Sequence, residues 1–239
     1  MSRIRAILFD KDGTLIDFNA TWAAVARTMA LQAASGDIVQ ADRLLDMSGL
    51  DLVTGGFRPD SIFAAGTNAD IVALWHPHLD REELTATVAM YDALTAREGA
   101  ASAVALPGIH DAIARLHAAG YRLGMATNDS TLGAEQTLVA LGFANMFAAA
   151  YGYDAVARPK PAPDVLIAFA DMAGMKPAEI AMVGDNRHDL ETGRAAGAGL
   201  VVGVLSGTGT RETLAPLADV ILESVADLPG YLETPADGR

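Results

Sequence analysis

The sequence predicts an α/β fold, a mostly parallel sheet flanked by helices, with an all-helical module inserted after the first strand. Three observations predict it. Short, near-continuous apolar runs recur, each ended by a turn, as strands buried on both faces of a parallel sheet require. Helix-period stretches alternate with them, which implies repeated βαβ units. The segment from 17 to 95 departs from this alternation, holding helical patterning and no convincing strand.

The first apolar run is Ile4 to Phe9, broken only by Arg5 and followed at once by Asp10-Lys11-Asp12-Gly13-Thr14. Helices are then expected over 21–34, 37–47, 69–75 and 80–97, with a Gly/Pro-bearing loop at 54–60. A helix over 108–119 carries Ile109, Ile113, Leu116 and His117 on one face and stops at Gly120, which suits a left-handed helix end. A strand over 121–127 follows, then a helix over 131–141 carrying Leu132, Gln136, Val139 and Ala140 and ending at Gly142. A weaker strand at 148–151 precedes a helix over 162–173, which runs through Val165, Leu166 and Phe169 to Gly174. The strand over 180–184 leads into a helix over 187–196 that stops at Gly197, and strands over 199–205 and 218–222 complete the sheet. The last residues, ETPADGR, read as a frayed tail. The expected division is a core of 1–16 and 97–239 and a helical module of 17–96, with no internal repeat and no low-complexity segment.

Composition limits the function. Of 239 residues, 51% are hydrophobic and 20% charged, ordinary values for a chain with a true core. Seventeen Lys+Arg against 30 Asp+Glu leave a net charge of −13, which repels nucleic acid and anionic membranes at long range, so neither is an expected partner. Cysteine is absent, which excludes disulfides, thiolate metal sites and Cys nucleophiles. The mean hydropathy is +0.24, yet no apolar run approaches the ~18 residues of a spanning helix. The short apolar start is no signal-peptide core, and the expectation is a cytoplasmic protein.

Four features carry chemistry. Asp10 and Asp12 follow the first strand, and ligands of open α/β sheets bind outside the carboxyl ends of strands. Two carboxylates so placed must be relieved by a cation or a shared proton; a solvated Asp-Gly corner is the alternative. Gly184-Asp185-Asn186-Arg187-His188-Asp189 puts two more acids at a strand end, where helix capping by one Asp is the alternative. Four Asp at strand ends in so acidic a chain call for a metal, and hard oxygen ligands suit Mg²⁺. Thr127-Asn128-Asp129 offers a hydroxyl beside a helix N-terminus, fit either for phosphate oxygens or for plain capping. Lys160, one of three lysines, lies in the stiff loop Arg158-Pro159-Lys160-Pro161-Ala162-Pro163, fit for a phosphoryl group or simply a solvent-exposed linker.

Together these motifs resemble the haloacid-dehalogenase-like hydrolase superfamily, and most of all its phosphoglycolate-phosphatase-like branch with a helical cap after the first motif. FDKDGTLID, GMATND, RPKPAPDVL and MVGDNRHD match the family's four motifs in order, and the likeness covers roughly 1–16 and 97–225. The resemblance implies a Rossmann-like core and a Mg²⁺-dependent phosphatase acting on a small phosphate ester, 2-phosphoglycolate first. In it Asp10 would be the nucleophile, giving a phosphoaspartate. Asp12 would be the acid and base, and Mg²⁺ would be held by Asp10, the Asp12 backbone carbonyl and Asp185. Thr127, Asn128 and Lys160 would bind the phosphoryl group, with Asp189 orienting Lys160 or a metal-bound water.

Asp12 favours a phosphoester, because relatives that cleave halides or phosphonates lack an acid there. Arg58, in GGFRPD, is a candidate for gripping a substrate carboxylate; Asn19 and Trp22 are candidates to line the entry, with the core of the first cap helix the preferred reading of Trp22. A phosphosugar mutase of the same fold and a non-catalytic binding protein are the alternatives. The mutase is disfavoured because Asn19-Ala20-Thr21-Trp22 lacks the histidine its relatives carry early in the cap. The expected assembly is a monomer or homodimer.

Overall fold

The computed structural model describes residues 4–58 and 61–234; most of the expected tail, 235–239, lies outside the described residues. The sheet comprises β1 (Ala6–Phe9), β2 (Arg122–Ala126), β3 (Phe147–Tyr151), β4 (Ile180–Gly184), β5 (Leu200–Val204) and β6 (Val220–Leu222). Its order is β3-β2-β1-β4-β5-β6, and every pairing is parallel. Ile7 and Phe9 pack into one layer with α6 (Ile109–Ala118) and α7 (Thr131–Ala140); Ala6 and Leu8 pack into the other with α8 (Asp164–Ala173). Successive strand residues point to opposite faces, so covering both faces demands the unbroken apolar run that marked β1 in the sequence. The helix α9 (Arg187–Ala196) follows β4. Gly174 and Gly197 end α8 and α9 in left-handed backbone, φ 64° and 75°.

The expected helical module forms α1 (Phe18–Ala33), α2 (Ile38–Ser48), α3 (Ile62–Ala65), α4 (Asn68–Trp75) and α5 (Arg81–Ala101). It has its own apolar cluster, with Trp22, Met29, Leu45, Val72, Trp75 and Tyr91 at its centre. An Asp at the N-cap starts α1, α2 and α5, each accepting from backbone N–H groups of the first turn. α5 is one unbroken helix that crosses the expected division between 96 and 97. Among the described residues no helix is long and apolar enough to cross a membrane.

Two face assignments are corrected. His117 is exposed, and Ala112 joins Ile109, Ile113 and Leu116 on the buried face of α6. On α7 the buried residues are Gly133, Ala134, Thr137 and Leu138, while Leu132 and Val139 are exposed. The sheet takes the face of α7 that carries Ala134 and Leu138, and Leu132 and Val139 lie in a surface groove beside Ala100 and Ala101 at the end of α5. The short helices α3, α10 (Arg211–Leu214) and α11 (Leu228–Glu233) were not expected from the pattern.

Candidate active site

β2, β1 and β4 are neighbours in register, Met125 beside Phe9 and Phe9 beside Val183. Whatever follows their last residues therefore meets at one edge of the sheet. Asp10, Thr127 and Asp185 do, and all three are buried. The ladder runs on past the strands, with Asp10 N–H donating to Val183 O (2.8 Å) and Thr127 N–H to Tyr151 O (2.9 Å).

The turn after β1 is tight. Leu15 and Ile16 N–H both donate to Lys11 O, and Gly13 N–H donates to Ile16 O (2.8 Å). Gly13 has φ +76°, and a Cβ there would lie 2.7 Å from the Asp185 carboxyl carbon. Gly207 and Gly209 press on Asp185 in the same way, and a Cβ on either would overlap it. Thr14 Oγ1 (3.1 Å) and Thr208 N–H (2.8 Å) donate to the Asp185 carboxylate, and Ser206 Oγ donates to Gly13 O (2.7 Å). The glycine-rich stretch 207–209 thus clamps a carboxylate.

Lys160 arrives from the proline-bearing loop before α8. Its Nζ donates to Asp10 Oδ1 (2.5 Å), Asp189 Oδ1 (2.6 Å) and Ala126 O (3.2 Å). Asp189 also accepts from Asn186 N–H (3.0 Å), closing a capping box at the start of α9. Carboxylate oxygens of Asp10, Asp185 and Asp189 lie within 4.8 Å of one another. Burial, reinforced by Asp189 and opposed by Lys160, raises Asp10 to about 6. Burial and then the repulsion of Asp10 and Asp189 raise Asp185 well above the usual carboxylate range. Burial opposes the Lys160 charge, yet Asp10 and Asp189 outweigh it and hold the ammonium above its ordinary value. Three carboxylates against one ammonium leave two uncompensated charges on an all-oxygen donor set. These residues fit a hard divalent cation.

A second ionic cluster adjoins the first. Lys11 is buried, with Nζ 2.5 Å from Asp129 Oδ2 and 3.2 Å from Asp12 Oδ2, and it lies 4.8 Å from the centre of the Trp22 ring. Trp22 Nε1–H donates to Asp12 Oδ1. Burial raises Asp12 above the ordinary aspartate value, against the pull of Lys11. The Asp12 side chain thus faces Lys11 and Trp22. Thr127 Oγ1 accepts from Asp129 N–H (3.0 Å), so its own proton is available to donate.

A chamber opens between the sheet edge and the helical module. Asp10, Asp12, Thr127, Asn128, Lys160, Asp185 and Asp189 all line it. Arg58 does not: its guanidinium binds the Asp46 carboxylate (3.0 Å) and the Asp46 carbonyl on the outside of the module. Trp22 does more than the core role expected of it, since it also touches Asp12. Sequence reasoning gave no role to Lys11, Asn68, Thr95 or His188. For Lys11 a signal existed: a rare lysine wedged between two aspartates of a very acidic chain. His76 pairs with Tyr91 (3.3 Å).

Comparison with known proteins accords with this geometry. The family model of haloacid dehalogenase-like hydrolases matches residues 4–197. The phosphoglycolate phosphatase of Salmonella typhimurium LT2 is 30% identical over 244 residues, covering 98% of this chain and 95% of its own. That of Escherichia coli O157:H7 is 30% identical over 241 residues, covering 97% and 94%. Two solved structures share the fold. CbbY of Rhodobacter sphaeroides, in complex with phosphate, has a TM-score of 0.67 at 23% identity, covering 94% of this chain and 96% of that one. A HAD-superfamily hydrolase of Geobacter sulfurreducens has 0.64 at 21% identity, covering 96% of each.

Proposed function

This chain belongs to the haloacid dehalogenase-like hydrolase family and is a phosphatase; we propose that it is a Mg²⁺-dependent enzyme that hydrolyses a small phosphate monoester through a phosphoaspartate on Asp10. The observation that carries the reading is the Asp10 carboxylate, set at a strand end against Lys160 and beside Asp185 and Asp189. In this reading 17–96 acts as a cap over a core of 1–16 and 97–239.

A carboxylate oxygen of Asp10 attacks phosphorus, and the bond to the leaving alkoxide breaks. Asp12, whose proton affinity burial raises, gives that alkoxide its proton. Asp12, now ionised, takes a proton from water, whose oxygen attacks the phosphoaspartate; phosphate leaves and Asp10 is regenerated. Thr127 donates its hydroxyl proton to a non-bridging oxygen, whereas the Asn128 side chain, whose amide hydrogens go to Ala65 O and Lys160 O, has no donor left for phosphate. Lys160 holds Asp10 in place and offsets charge, and Asp189 orients Lys160. Mg²⁺, held by Asp10, the Asp12 backbone carbonyl and Asp185, would cancel the negative charge that otherwise repels an anionic nucleophile from a phosphate dianion. The phosphoryl end of the chamber thus suits any small phosphate monoester, and 2-phosphoglycolate, the compound in the relatives' name, is the reference substrate.

The test is phosphate release from a panel of esters with Mg²⁺ and with EDTA, for wild type and Asp10→Asn. Metal-dependent release that Asp10→Asn abolishes is expected. Equal release by the variant overturns the nucleophile, and release undiminished by EDTA overturns the metal.

A further inference from the structure

The leaving group of the ester would meet the roof of the chamber, and that roof is uncharged. The helical module contributes Phe18, Trp22, Phe63, Asn68, Ile71 and Thr95 together with residues 64–67, none of them an acid or a base. On the sheet side, beyond the groups that face the phosphoryl end, the charged lining is Asp12 and Asp129. The cations nearby are committed: Lys160 to Asp10 and Asp189, and Lys11 to Asp129 and Asp12. Arg58, the expected grip for a carboxylate, is turned to Asp46. Among the described residues no lysine or arginine stands free in the chamber.

What the chamber does offer is hydrogen-bond acceptors. The Asn128 amide donates from Nδ2 to Ala65 O (2.8 Å) and Lys160 O (3.1 Å). Both partners are carbonyls, which fixes the orientation of the amide, and its Oδ1 is left buried with no partner. His188 turns Nδ1 to the same Ala65 carbonyl (3.3 Å). A buried acceptor is matched by an O–H donor, and neither a phosphate dianion nor a carboxylate supplies one. The Phe and Trp walls suit the C–H faces of a carbon chain.

We propose that the preferred leaving group is an uncharged, hydroxyl-bearing alcohol, so that a polyol-type phosphate monoester is a better substrate than a phosphorylated carboxylic acid. The inference rests on the phosphatase reading above. A carboxylate in this chamber would lose its water without meeting a free lysine or arginine, which costs about one charge-assisted hydrogen bond, a factor of about 10 to 100 in kcat/KM.

The experiment compares 2-hydroxyethyl phosphate with 2-phosphoglycolate, which differ only by hydroxymethyl for carboxylate. p-Nitrophenyl phosphate serves as a general reporter, and all three are assayed with Mg²⁺ on the full chain. The expected result is a kcat/KM about 10- to 100-fold higher for the neutral ester. Phe63→Arg, which brings a cation to the chamber wall, is expected to move that ratio toward 2-phosphoglycolate. Equal turnover of the two, or preference for 2-phosphoglycolate, overturns the proposal. Release from p-nitrophenyl phosphate alone overturns it while leaving the phosphatase reading intact. No release from any ester overturns the phosphatase reading itself, and this inference with it.

Discussion

Replacing Lys160 by methionine removes the ammonium that touches Asp10 and Asp189 while keeping most of the side chain's bulk. Its Nζ lies 2.5 Å from Asp10 and 2.6 Å from Asp189, and both acids, like Asp185, are more than nine-tenths buried. Removing one partner of a buried ionic network costs about 3–5 kcal/mol, because the other charges stay buried and unpaired. For a chain of this size each kcal/mol moves Tm by about 2–4 °C, so in EDTA at about pH 8 the variant should melt about 6–20 °C below wild type.

The loss depends on pH in a definite direction. Asp10 has a folded pKa of about 6 against an ordinary 3.8, so the stability linked to its protonated form is full below 3.8 and is lost as pH rises through about 6. In wild type the Lys160 charge pulls Asp10 down; without it Asp10 rises further, and the extra instability develops only on the alkaline side of that window. The variant and wild type should therefore converge near pH 4, where Asp10 holds its proton in both. Adding Asp189→Asn to the variant should return part of the lost stability. Calorimetry at the two pH values is the assay. A variant that melts with wild type at about pH 8, or that is destabilised equally at both, would refute the account of Lys160 as counter-charge.

Three further outcomes follow from named contacts. Gly207→Ala places a methyl onto the Asp185 carboxylate; it should cost about 1–3 kcal/mol in denaturant unfolding and weaken Mg²⁺ binding measured by calorimetric titration. Trp22→Phe keeps a ring over Lys11 but removes the Nε1–H donor to Asp12; kcat should fall about 10-fold while KM moves less, since the contact orients the acid rather than the substrate. Arg58→Ala breaks an ion pair whose side chains are 49% and 60% exposed; it should change stability by less than about 1 kcal/mol and leave kcat/KM unaltered.

The sequence by itself determined the strands and helices of the sheet and where the acids gather. An apolar run closed by Asp10, by Thr127 or by Gly184-Asp185 is a local signal, and parallel pairing then carries those strand ends to one edge without further information. Only the tertiary structure decided the rest. Helical spacing marked Leu132 and Val139 on α7, but the sheet takes the face that carries Ala134 and Leu138 and leaves those two exposed. Arg58 looked free to meet a ligand until Asp46, twelve residues earlier, was seen to hold it. Lys11 finds Asp129, 118 residues on, because β1 and β2 lie side by side. Periodicity reports which residues can be buried together within one element. Which charge meets which, and which face is covered, depends on distances between elements far apart in the chain, and those are set only when the sheet and the helical module pack.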